Sequence, residues 1–167
     1  MEEEWKEIPG FPRYQVSSEG RIYNTVTNRY MATSMNQYGA PKISLMTETG
    51  GRHDRSVATL IANAFVEKKH PLCDRVLFLN GDKTDLRAAN LEWRPRWFVW
   101  KYTHQFNVQQ PAWHRNLPVV NQETGARYEN IIEAGKTEGL LFEQIWHSTY
   151  SGGPVYPTGD HWVVVEN

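Results

Sequence analysis

The tightest constraint on this chain lies between Val57 and Trp93, where a helical stripe, an apolar strand and a turn follow one another with few spacers. Val57, Leu60, Ile61, Ala64 and Phe65 stand at i, i+3, i+4, i+7 and i+8, so one face of a helix gathers them. Pro71 ends that region. DRVLFLN then reads as an apolar strand, NGDK as a turn, and RAANLEW as a short helical or turn segment closing on Trp93.

Upstream, YQVSSEGRIYN reads as two short strands around a Ser-Glu-Gly turn, with Trp5, Ile8, Tyr14, Val16 and Ile22 forming a small core. PKISLMT alternates as a further strand, and Gly50-Gly51 turns the chain into RHDRSV. The run Trp5, Lys6, Ile8, Gly10, Phe11, Tyr14, Val16, Ser17, Gly20, Arg21, Ile22 follows the order W-K-x-I-x-G-[FY]-x-x-Y-x-V-S-x-x-G-R-I. It resembles a short modular domain often found ahead of HNH nucleases. Residues 56–93 resemble the HNH fold of phage and intron homing endonucleases. The scaffold letters of that pattern are Val57, Leu60, Ile61, Ala64, Phe65, Val76, Gly81, Lys83, Thr84, Asn90, Leu91 and Trp93.

The resemblance departs at the positions that carry chemistry. Ala58 stands where a His is expected, Leu77 where a metal-binding Asn or Asp is expected, and Phe78 where the general-base His is expected. Cleavage of this type needs a divalent metal on the phosphate and a base for water. A methyl, an isobutyl and a phenyl group supply neither. Asn90 matches the pattern but reads more simply as a turn amide bonding local backbone. His53, His70, His104, His114, His147 and His161 show no H-x-x-x-H spacing, and the loop character of GDKTD accounts for Asp82 and Asp85. These departures lead to the expectation of no catalysis, no metal and no cofactor.

Charge sharpens the reading. A DNA-binding chain is usually basic, because neutralising phosphate supplies much of its affinity. This one carries a net charge of −1 and distributes it unevenly. Residues 1–93 are balanced. Residues 94–117 hold Arg94, Arg96, Lys101 and Arg115 and no acid. Residues 118–167 hold Arg127 and Lys136 against seven acids. The length of 167 residues suits one domain or a few small modules. A mean hydropathy of −0.64 and the lack of a long apolar run exclude a membrane span. The single cysteine, Cys73, excludes an internal disulfide framework, and no leader is visible in the acidic start. The expected location is the cytoplasm of an infected bacterial host.

Four segments follow from this pass: a nuclease-associated module at 1–50, a degenerate HNH-like core at 51–93, a basic aromatic connector at 94–117, and an acidic module at 118–167. The expected fold class is α+β: a small β-rich N-terminal module, a degenerate ββα-metal core, and a C-terminal β-hairpin with a helix-turn-helix-like module. In related nucleases the connector lies along the DNA groove. Arg94, Arg96, Trp97, Trp100, Lys101 and Arg115 are therefore candidate nucleic-acid or interface residues. The same rings, with Phe98 and Trp113, could instead cover the core or a dimer interface. Val119, Thr124, Gly125, Tyr128, Ile131, Glu133, Ala134, Gly139, Ile145, Gly159 and Trp162 resemble the C-terminal repeat of homing endonucleases. Its second helix, LLFEQIWHST, holds Glu143 and no Lys or Arg.

Glu129, Glu133, Glu138, Glu143 and Asp160 repel phosphate, and they lead to the expectation that this face binds protein rather than DNA. The expected function is then that of a catalytically inactive, HNH-like phage protein. It would occupy the DNA-binding groove of a host protein of DNA metabolism, a sliding clamp being one example. A non-cutting DNA-binding protein, an active homing endonuclease and an inert homologue stand as alternatives, and a homodimer fits the aromatic content.

Overall fold

A computed structural model describes residues 2–165. The chain forms two compact units. The first runs to Phe78 and resumes at Asp82–Arg96; the second holds Leu79–Gly81 and the chain from Trp97 onward. The architecture is α+β, with several small antiparallel sheets and five α-helices among the described residues. Among the described residues no helix is long and apolar enough to cross a membrane.

The first unit begins with the strands β1 (Trp5–Ile8), β2 (Phe11–Ser17), β3 (Ile22–Asn24) and β4 (Arg29–Tyr30), paired in that order. The Ser-Glu-Gly turn joins β2 to β3, pairing Val16 with Ile22. Gly20 has φ +91°, and a Cβ there would lie 2.7 Å from the Leu86 side chain, so only glycine serves. Trp5 is half-buried and packs its ring on Tyr23 and Tyr30. A second sheet holds β5 (Ser34–Met35), β6 (Pro41–Met46) and β7 (Arg52–Ser56). Alternation on β6 buries Ile43 and Leu45 and leaves Lys42 and Ser44 on the other face.

Helix α1 (Val57–Phe65) starts where the Ser56 side chain accepts from the Thr59 N–H. Its buried face is Val57, Ala58, Leu60, Ile61 and Ala62. The hairpin β8 (Arg75–Phe78) and β9 (Leu91–Arg94) pairs Leu77 with Glu92 and Phe78 with Leu91. Ile8, Val16, Ile43, Leu45, Ile61, Leu91 and Trp93 share one core, so strands from 1–50 and elements from 51–93 bury the same apolar surface.

In the second unit, the segment expected as a connector forms two helices, α2 (Arg96–Gln105) and α3 (Ala112–Asn116). β10 (Val119–Asn121) lies between β11 (Arg127–Tyr128) and β12 (Trp162–Val164), with α4 (Ile131–Glu138) and α5 (Phe142–Ser151) completing the unit. Asn130 caps α4 by accepting from the Glu133 N–H at 2.9 Å, and the Glu133 carboxylate accepts from the Glu129 N–H at 2.8 Å. Gly139, at φ +66°, closes the helix. Gly135 lets α5 approach: a Cβ there would meet Phe142 Cδ1 at 2.4 Å. Val119, Ile131, Ala134, Leu140, Phe142, Ile145 and Trp162 form this unit's core.

Candidate nucleic-acid interface

The β8–β9 hairpin and the loop it frames carry the positions where nuclease chemistry is expected. Leu77 is fully buried, Ala58 lies buried on α1, and Phe78 is half-buried against the first unit's core. Asn90 is buried and donates its amide N–H to the Asp85 carbonyl at 2.9 Å. Arg87 grips Asp85 through two bonds of 2.8 and 2.6 Å. Asp82 accepts from the Thr84 hydroxyl at 2.7 Å and from the Thr84 N–H at 2.8 Å, and both hold its carboxyl below the usual range. His53 and His70 are exposed. His53 stands on β7 with its ring near Phe11, and His70 Nδ1 accepts from the Leu72 N–H.

A divalent cation wants oxygen or imidazole donors. Ala58, Leu77 and Phe78 offer none, while Asn90 donates its amide N–H to backbone. Positions 58, 77 and 78 do not fit a metal. Among the described residues no three His, Cys, Asp or Glu side chains gather as a metal site.

The second unit holds a different surface. On α2, Phe98 and Tyr102 are buried one turn apart, while Arg96, Trp97, Trp100, Lys101 and His104 are exposed. Trp100 stacks on His104 at 5.3 Å with the rings nearly parallel, and Lys101 Nζ lies 6.0 Å from the Trp97 ring. On α3, Trp113 leans on Trp146 of α5 at 4.3 Å, and Arg115 is exposed. Helices α2, α3 and α5 thereby border an open cavity of about 490 Å³. Its walls include Trp100, Lys101, Trp113, His114, Glu143 and Trp146.

His114 is buried and its Nδ1 lies 2.8 Å from Gln110 Oε1. The amide of Gln110 donates to the carbonyls of Gln105 at 2.7 Å and Val108 at 3.4 Å, which turns its oxygen toward His114. Nδ1 therefore carries the ring proton and Nε2 keeps a lone pair, sealed from water without a hydrogen-bond partner. Burial lowers the imidazole pKa, partly offset by the nearby Glu143 charge.

Other expected site residues are placed differently from the sequence reading. Arg94 is buried; its guanidinium donates to Glu92 at 2.5 Å and to the Trp93 carbonyl at 3.1 Å, so it is not offered to phosphate. Three of the acids expected to bind a partner also make bonds within the unit. Glu133 closes the α4 cap, Glu138 accepts from the Tyr128 hydroxyl, and Asp160 accepts from the Asn121 amide at 2.8 Å. Burial and Glu138 together raise the Tyr128 phenol pKa. Glu129 and Glu143 are exposed. The pocket residues Gln105, Gln110, His114 and Trp146 carried no sequence signal, because they meet only once three helices fold together.

Comparison with known proteins agrees with this architecture. Residues 3–45 match the NUMOD4 motif. The chain is 38% identical over 149 residues to an HNH endonuclease, L247, of Acanthamoeba polyphaga mimivirus, a match covering 81% of this chain. The chain spans 35% of that relative's length. A solved structure of DNA binding and cleavage by the HNH homing endonuclease I-HmuI has a TM-score of 0.56 and 20% identity to this chain, covering 98% of it and 99% of the solved chain. These relatives overturn the expectation, drawn from Ala58, Leu77 and Phe78, that the chain is not an enzyme. The physical reason is that three apolar side chains define what those positions cannot do. Phosphodiester hydrolysis draws on whatever groups surround the bound phosphate, and a short pattern does not enumerate them.

Proposed function

The chain is HNH homing endonuclease-like in sequence and in fold, and from that premise we propose that it is a nuclease-related protein that binds duplex DNA. The observation that carries the reading is the fold shared along 98% of the chain with a homing endonuclease. The helical surface of the second unit supports it. Lys101 and Arg115 stand exposed with Trp97, Trp100 and Trp113 in a stretch without acids, and cations interleaved with rings suit a phosphate backbone and its bases. Strand scission is the activity named for the relatives. In this chain its base and metal ligands would come from groups other than residues 58, 77 and 78.

Fluorescence anisotropy with a labelled duplex tests the binding, repeated from low to high salt. The expected result is an affinity that falls linearly on a log–log plot with salt. Affinity too weak to measure at low salt overturns the reading. The same preparation incubated with supercoiled plasmid and Mg²⁺ or Mn²⁺ tests nicking.

The alternative reading, docking of an acidic C-terminal face on a host protein of DNA metabolism, has less support. Three of its five acids are tied by bonds within the chain, which fix their positions without cancelling their charge, and neither relative's description names a protein partner.

A further inference from the structure

The cavity between α2, α3 and α5 is a feature that general DNA binding does not use. Three indoles stand in its walls: Trp100 is 66% exposed, Trp113 is 41% exposed, and Trp146 backs Trp113. A flat ring is the shape such walls hold best, since stacking is sequence-tolerant and every base has a π-face. The polar group sealed in its wall is an acceptor. The hydrogen-bond chain from Gln105 through Gln110 fixes the proton on His114 Nδ1 and leaves the Nε2 lone pair unmatched. A buried acceptor without a donor is costly, and such an orphan in a native fold asks for an explanation. Glu143 adds a second acceptor, and Lys101 a cation, to the same cavity. The occupant that meets all of this is planar, rich in N–H donors and attached to an anion.

We propose that this cavity receives one unstacked nucleobase, its ring between the indoles of Trp100 and Trp113, its N–H edge toward His114 Nε2 and Glu143, and its phosphate near Lys101. The inference rests on the DNA-binding reading and adds to it the extrusion of a base from the stack. Among bases guanine fits best, because its N1–H and 2-amino group form one continuous donor edge. Trp113 lies 3.8 Å from the His114 ring and is 41% exposed, and a guest reaches the sealed Nε2 only when that indole swings aside. Unstacking is least costly where a base is already unpaired, so a bulged base is the natural probe.

The experiment compares the full chain on three duplexes: fully paired, with a single bulged guanine, and with a bulged abasic nucleotide of the same charge. The guanine bulge should bind about 10-fold tighter than the abasic bulge. Trp100→Ala and His114→Phe should each bring that ratio toward one, with circular dichroism confirming the fold. In parallel, dGMP should quench tryptophan fluorescence saturably while deoxyribose 5-phosphate does not. Equal binding of the two bulged duplexes overturns the proposal and leaves DNA binding intact. Quenching by dGMP with no duplex binding supports the pocket and sinks the DNA reading, whereas a lack of both responses sinks both.

Discussion

The β8–β9 hairpin and the α2–α3 segment draw on the same kinds of side chain, rings and aliphatics with a few cations, and use them in opposite ways. The hairpin turns them inward: Leu77, Leu91 and Trp93 are buried, and Arg94 is held by Glu92. The α2–α3 segment turns them outward, with Trp97, Trp100 and Trp113 at 50%, 66% and 41% exposure. The hairpin thus offers framework, while the α2–α3 segment offers groups a ligand can reach. Similarity reports which residues hold a backbone in place, and exposure reports which ones remain to meet something else.

If the hairpin is framework, cutting into it should cost the most. Leu77→Ala should destabilise the first unit by about 2–5 kcal/mol, read from urea melts, because a fully buried leucine leaves a cavity. A loss well under 1 kcal/mol would break the comparison. Gly135→Ala should cost the second unit about 1–3 kcal/mol, since the new methyl meets the Phe142 ring. A neutral result would mean that α4 and α5 are loosely packed and the cavity beside α5 poorly defined. Asn130→Ala should cost about 1 kcal/mol, and Ser56→Ala less, since its cap bond is 3.4 Å against 2.9 Å.

Smaller effects sharpen the outward-facing side of the contrast. Lys101→Gln should reduce the salt slope of duplex binding by about 1, whereas Arg87→Gln, whose charge is matched by Asp85, should leave the slope unchanged. The His114 imidazole is held below its ordinary value of 6.5, so the unfolded chain takes up a proton that the folded chain refuses. Stability from this group is complete above about 6.5 and is lost as the pH falls through the lower folded value. Thermal melts between pH 8 and pH 5 should show this decline, and His114→Gln should flatten it.

Much of the first unit was legible in its sequence. The stripe starting at Val57 is a helix, PKISLM is a strand, and the Ser-Glu-Gly turn joins two paired strands. The stripe is rotated from its expected face: Ala58 and Ala62 are buried, while Ala64 and Phe65 lie only partly covered. Small residues fit where helix and sheet approach closely, and a hydrophobicity pattern gives alanine little weight. Helix α2 was missed for a specific reason. Phe98 and Tyr102 mark a buried face, but Trp97 and Trp100 place equally large rings on the opposite face. Apolar surface on both sides cancels the periodic signal. A charge count likewise does not reveal which carboxylates fold back on a cap, a phenol or an amide.

The shared core of the first unit bears on how the NUMOD4 stretch can travel between proteins. Residues 3–45 supply Ile8, Val16, Ile43 and Leu45 to an apolar interior that Ile61, Leu91 and Trp93 complete. Transplanted alone, the motif would arrive with greasy strands and nothing to close over them. In this chain the stretch that matches the motif is shorter than the stretch that shares its interior.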